Sequence, residues 1–79
     1  MADLDPIRSF IRREFLYDKD AAIGDDDVLF PDMIDSLGVM ELVDFVEESY
    51  DVDIGEDELL AENFASLSAI GALVDRKKA

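Results

Sequence analysis

The sequence predicts an all-α fold: a four-helix bundle with three longer helices, one short helix and a long loop between helices one and two. Three observations carry that expectation. Apolar residues recur at helical spacing around Phe10, Leu42 and Ile70. The chain of 79 residues makes one domain spanning 1–79, and a domain this small buries only ~60% of the surface its unfolded chain exposes, which favours compact helix packing. Hydrophobic residues make up 49% of the chain, ordinary for a globular protein, so its high charge does not imply disorder.

Asp5 followed by Pro6 reads as a cap and a residue suited to the first helical turn, and Ile7, Phe10, Ile11 and Phe15 follow at helical spacing. Helix one is therefore expected over about 3–17. Gly24, the run Asp25-Asp26-Asp27 and Pro31 oppose a continuous helix across 18–35. Loops of that length tend to be functional, and Ile23, Val28, Leu29, Phe30, Met33 and Ile34 are expected to anchor this one over the core. From Ser36 onward Val39, Leu42, Val43, Val46 and Tyr50 form an apolar stripe, predicting helix two as far as Tyr50 with Glu41, Asp44, Glu47 and Glu48 on an anionic outer face. Val52 and Ile54 alternate with Asp51 and Asp53 as a short extended crossover that Gly55 ends. The short third helix is expected over about 56–61, supplying Leu59 and Leu60. Ser66 or Ser68 can cap a last helix whose core positions are Leu67, Ile70, Leu73 and Val74. It ends in Arg76-Lys77-Lys78, cations that complement the helix dipole.

Charge narrows the function classes. Seven Lys and Arg stand against 21 Asp and Glu, a formal net charge of −14. All seven cations lie outside 20–75, leaving 17 acids over those 56 residues. A surface this acidic repels phosphate backbones and anionic lipid, so neither nucleic acid nor membrane is an expected partner. No stretch approaches the ~20 apolar residues of a membrane span, and no signal-like segment follows Met1, so a cytoplasmic location is expected. The chain has neither cysteine nor histidine. Disulfides, thiolate nucleophiles and the commonest general base and metal ligand are therefore absent, and a self-sufficient enzyme with its own catalytic residues is not expected. An EF-hand fails on spacing, because Gly55 in the sixth position puts Tyr50 first and Gly24 puts Lys19 first. No specific metal site is expected among the acids, which read as a solvated or partner-facing surface.

The informative segment is Asp35-Ser36-Leu37-Gly38-Val39-Met40-Glu41-Leu42-Val43. A serine at the mouth of a helix after a long loop ordinarily serves as an N-cap. A hydrolase using Ser36 is disfavoured by the missing histidine. An acidic interaction module, such as a mimic of nucleic acid that fills a basic protein site, needs the acids but not Ser36.

With the loop ahead of it, the stretch from Ile34 to Tyr50 resembles the attachment motif and second helix of the acyl carrier protein family. The resemblance continues through Asp51-Val52-Asp53-Ile54 and from Glu62 to Leu67, covering nearly the whole chain. It implies that Ser36, flanked by Asp35 and Leu37, takes the 4′-phosphopantetheine arm of coenzyme A as a phosphodiester, favoured there by the helix N-terminus. The arm's thiol would carry acyl groups as thioesters and supply the sulfur the chain lacks. The resemblance also implies a docking face of Glu41, Asp44, Glu47 and Glu48 with Met40 as apolar contact, extended by Glu56 and Asp57. Its expected partners are a phosphopantetheinyl transferase, an acyl- or aminoacyl-loading ligase, and acyltransferases or synthases with basic patches, visited in turn by a monomer.

An acyl chain entering between the helices would meet Val39, Leu42, Val43 and Val46, then Leu67, Ile70 and Val74, with Phe30, Ile54, Leu59 and Phe64 closing the ends. Gly38 stands where carriers of dissociated fatty-acid synthesis usually have a second acid, and Asp44 where they usually have an apolar residue. The Ile34-Asp35-Ser36-Leu37-Gly38 version is similar to stand-alone carriers of specialised pathways, including aminoacyl and D-alanyl carriers. A discrete protein serving separate enzymes is therefore expected.

Overall fold

The computed structural model describes residues 3–16, 22–30 and 32–78. The expected end of helix one at Tyr17, residues 18–21 and Pro31 lie outside the described residues. Among the described residues the fold is all helical and without strands. It comprises α1 (Asp5–Phe15), α2 (Ser36–Tyr50), 3₁₀ turns at Glu56–Glu58 and Ala61–Phe64, and α3 (Leu67–Lys78).

The three longer helices form where the apolar spacing puts them, but the short third helix expected over about 56–61 does not form as a continuous helix. In its place stand the two 3₁₀ turns, because the residues between them leave helical geometry: Leu59 has φ −81°, ψ 59° and Leu60 φ −102°, ψ 143°. The break lets Leu59 turn toward the core and Phe64 bury almost completely, while Leu60 stays 47% exposed. Polar groups at these turns are met locally. Gly55 N–H donates to Glu58 Oε1 (3.0 Å) and Asn63 Nδ2 to the Glu58 carbonyl (2.8 Å).

Helix α1 starts at Asp5, with Pro6 in its first turn. Leu4 holds the cap position without a side-chain cap, so Asp5 does not cap this helix as expected; Asp3 Oδ1 accepts the Asp5 N–H at 3.1 Å. Ile7, Phe10 and Ile11 are buried. Phe10 stacks on Phe45 of α2 with centroids 4.2 Å apart and meets Phe15 edge-on at 5.8 Å, so an aromatic row fastens α1 to α2. At the head of α3 the choice of cap falls on Ser66, whose Oγ accepts the Ala69 N–H (3.1 Å). Leu67, Ile70, Leu73 and Val74 are all buried.

The loop ahead of α2 is tied down at several points. Ile23, Leu29 and Ile34 are buried and Phe30 and Met33 half-buried, but Val28 is 49% exposed and anchors nothing. Leu29 N–H donates to the Ala65 carbonyl (2.7 Å) and Ser68 N–H to the Asp25 carbonyl (2.9 Å), joining the loop to the start of α3. Arg8 reaches it from α1, donating from Nε to the Ile23 carbonyl (3.0 Å) and pairing with both Asp5 and Asp25. These ties fix where the chain enters α2.

Candidate functional site

Helix α2 opens on Asp35 in extended conformation (φ −88°, ψ −177°), whose Oδ1 accepts the Gly38 N–H at 2.8 Å. Asp35 is thus the N-cap and Ser36 the first helical residue, a correction to the reading of the serine as cap. The physical reason is that the carboxylate one residue earlier is the stronger acceptor for the first-turn donors. Freed of capping, Ser36 is exposed, and Leu37 beside it is 79% exposed. The cap also alters the electrostatics. A full negative charge on Asp35 outweighs the ~+0.5 charge equivalent of the helix N-terminus.

Gly38 has a packing reason. A Cβ there would lie 2.7 Å from Ile34 Cγ2 and 2.8 Å from Phe15 Cε1. Glycine lets α1 and the loop close tightly on the α2 start.

Ser36 borders a cleft of about 190 Å³ that it shares with Phe30, Val39, Met40, Leu59, Leu60, Ala61 and Phe64. The lining has no ionisable side chain. By volume it holds about six water-sized groups. Of the residues expected to line an acyl chain, Phe30, Val39, Leu59 and Phe64 do border it. Leu42, Val46, Leu67, Ile70 and Val74 are sealed in the core with no exposed surface, and Val43 and Ile54 are buried, because they pack against one another across the helices. The interior is closed beneath a small cleft.

Of the acids expected on one docking face, Asp44, Glu47 and Glu48 line one groove with Asp51 and Asp53, and Asp44 and Glu48 also border a second with Glu41. Glu41, Asp44 and Glu48 are exposed and line a groove of about 370 Å³ along α1 with Phe10, Glu14 and Phe45. Glu56 and Asp57 are exposed on the first 3₁₀ turn. Glu47 is half-buried and its Oε2 accepts the Ile54 N–H at 2.9 Å, so part of its carboxylate is turned to the chain's own backbone. Met40, half exposed, sits at the cleft. Among the described residues no group of three or more acids is arranged to hold a metal ion, and no helix is long and apolar enough to cross a membrane.

Over 47 residues the chain is 40% identical to "Probable acyl carrier protein PigG" of Serratia sp. (strain ATCC 39006), a stretch covering 60% of this chain and 54% of that relative. That likeness supports assignment to the acyl carrier protein family. The match spans about half the relative's length, and no family model matches the chain. The all-helical architecture agrees with that likeness.

The sequence signalled Ser36, Met40 and the cleft residues Phe30, Leu59 and Phe64, but not the cleft positions of Leu60 and Ala61. Leu60 was expected as an apolar residue of the short third helix, and Ala61 was signalled only by its place at the end of that helix, which hid the break between them and Leu59.

Proposed function

We propose that this chain is a phosphopantetheine-bearing carrier: Ser36 holds the arm, and the loaded protein is presented to successive enzymes. The observation that carries this reading is an exposed serine at the first position of α2, bordering an apolar cleft, in a chain similar to a probable acyl carrier protein. The residues present fit the group. The Ser36 hydroxyl is open to solvent, the cleft beside it contains no general base, and Asp35 Oδ1 is engaged by the Gly38 N–H. Deprotonation must then come from a transferase, which suits a substrate serine better than a nucleophile of the chain's own. When bound, the arm supplies the thiol on which an acyl group travels.

The rest of the work falls to the chain. Leu37 and Met40 offer apolar contact close to Ser36. Glu41, Asp44, Glu48, Glu56 and Asp57 steer partners with basic patches, favouring fast encounter and release over tight docking, as a cytoplasmic carrier visiting a transferase, a loading ligase and acyltransferases or synthases requires. The small cleft over a closed core favours short cargo, and with it an aminoacyl or short-acyl carrier over one that buries long chains.

Incubation with coenzyme A, Mg²⁺ and a broad-specificity phosphopantetheinyl transferase, followed by intact-mass measurement, tests the reading. The parent should gain one arm and Ser36→Ala none. An Ala variant that still gains the mass would overturn the assignment of Ser36, and an unmodified parent would favour the acidic interaction module. Offering the modified protein to a panel of acyl and aminoacyl ligases then identifies the cargo class.

A further inference from the structure

The basic end of α3 does more than complement a dipole. Lys77 Nζ lies 2.8 Å from Glu58 Oε1, the oxygen that also accepts the Gly55 N–H at 3.0 Å. Asn63 Nδ2 donates to the Glu58 carbonyl (2.8 Å), and Arg76 donates in turn to Asn63 Oδ1 (3.2 Å). The Lys77 and Glu58 side chains are only 29% and 25% exposed, so both are held in place rather than waving in solvent. Hydrogen bonding to Lys77 holds the Glu58 carboxyl below its ordinary range, and the same bond raises Lys77.

These links gather the 3₁₀ segment against the last turns of α3. The same segment supplies Leu59, Leu60, Ala61 and Phe64 to the cleft, whose other lining residues are Ser36, Val39 and Met40 from α2 and Phe30 from the loop. Turns of three and four residues have too few internal hydrogen bonds to hold a shape of their own. Phe64 and Leu59 pack on the core, but Leu60 and Ala61 between them are exposed, so the tethers to α3 add to the hold on this stretch.

We infer that Lys77 and Glu58 are specificity-determining residues: as a clamp between α3 and the 3₁₀ segment they fix one wall of the cleft beside Ser36, and so limit the length of cargo the cleft admits. The cargo half rests on the carrier reading; the clamp half does not.

Amide hydrogen exchange on the unmodified protein tests the clamp. Lys77→Met should speed exchange of the amides of residues 59–64 about two- to fivefold, the range a partly exposed ion pair can supply, while amides of Leu42, Val43 and Val46 keep their parent rates. Lys77→Arg should restore the parent pattern. Unchanged exchange in Lys77→Met, or acceleration spread equally over α2, would overturn the clamp, the latter by making Lys77 merely structural.

The cargo half is read from loaded protein, as the ratio of octanoyl to acetyl thioester cleavage by hydroxylamine. Octanoyl should become selectively better protected in Lys77→Met and not in Lys77→Arg; an unchanged ratio would overturn the limit on length. Failure of Ser36 to take the arm would overturn the carrier reading and the cargo half with it, with the exchange result still deciding the clamp.

Discussion

The cap of α2 falls to Asp35 and leaves the Ser36 hydroxyl free of it, and the difference is measurable. Asp35→Ala should cost ~0.5–2 kcal/mol in urea denaturation, the usual loss for an N-cap, whereas Ser36→Ala should stay within ~0.5 kcal/mol of the parent. Equal losses would mean that the hydroxyl shares the cap. Gly38 sets two effects of opposite sign against each other. Alanine in a helix interior gains ~1 kcal/mol over glycine, but its Cβ would stand 2.7 Å from the buried Ile34 and 2.8 Å from Phe15, and overpacking costs ~1–3 kcal/mol. Ile34 is 1% exposed and cannot move freely, so the steric effect should win. Gly38→Ala is expected to lose stability, with Phe15→Leu in the same chain recovering part of it; a more stable Gly38→Ala would show that both neighbours relax at little cost.

At the scale of elements, α2 is held at its far end by its own side chain. Asp51 closes the helix in the left-handed region (φ 55°) and its N–H donates to the Glu47 carbonyl, while the Glu47 carboxylate takes the Ile54 N–H. Asp51→Gly should therefore be neutral or gain up to ~1 kcal/mol, because glycine adopts that conformation without Cβ strain. Glu47→Ala should lose ~1–2 kcal/mol through the stranded Ile54 donor, and Glu47→Gln, which keeps an acceptor and sheds a like charge, should lose less. Docking is better probed at Glu41 and Glu48, which are exposed and line the groove along α1. Lysine at both should slow arm transfer with little change in stability, and salt should slow the parent in the same sense. Transfer rates indifferent to both changes would count against electrostatic docking. The three long helices were legible because Ile7, Leu42 and Ile70 belong to stripes with helical period, and Ser36 because it opens one of them. The 3₁₀ segment was not, since Leu59 and Leu60 fit a helical turn as well as a break. Nor was the inward engagement of Glu47, because its partner is a backbone N–H seven residues away that no side-chain pattern reveals.

Over the whole molecule the charges pull in two directions, and salt separates them. A net charge of −14 on 79 residues works against the compact state at long range. Ion pairs such as those of Arg8 with Asp5 and Asp25 and of Lys77 with Glu58 oppose it at contact. Raising NaCl from ~10 to ~150 mM shortens the screening length from ~30 to ~8 Å, which suppresses repulsion across the molecule but weakens partly exposed pairs far less. Melting temperature should therefore rise with salt, by ~4–8 °C for each kcal/mol of relieved repulsion. The exchange of residues 59–64, taken relative to the α2 core, should move the other way as the Lys77–Glu58 pair loosens. Moderate pH changes should not imitate this. The lowered pKa of Glu58 gives a contribution present above its ordinary value and lost only as pH falls through the depressed one. The raised pKa of Lys77 gives a contribution present below its ordinary value and lost only as pH rises through the elevated one. Between those limits the pair stays charged, so the relative exchange of 59–64, corrected for intrinsic rates, should be flat from about pH 6 to 8 at fixed salt. A melting temperature that falls with added NaCl would show that contact pairs, not long-range repulsion, dominate this domain.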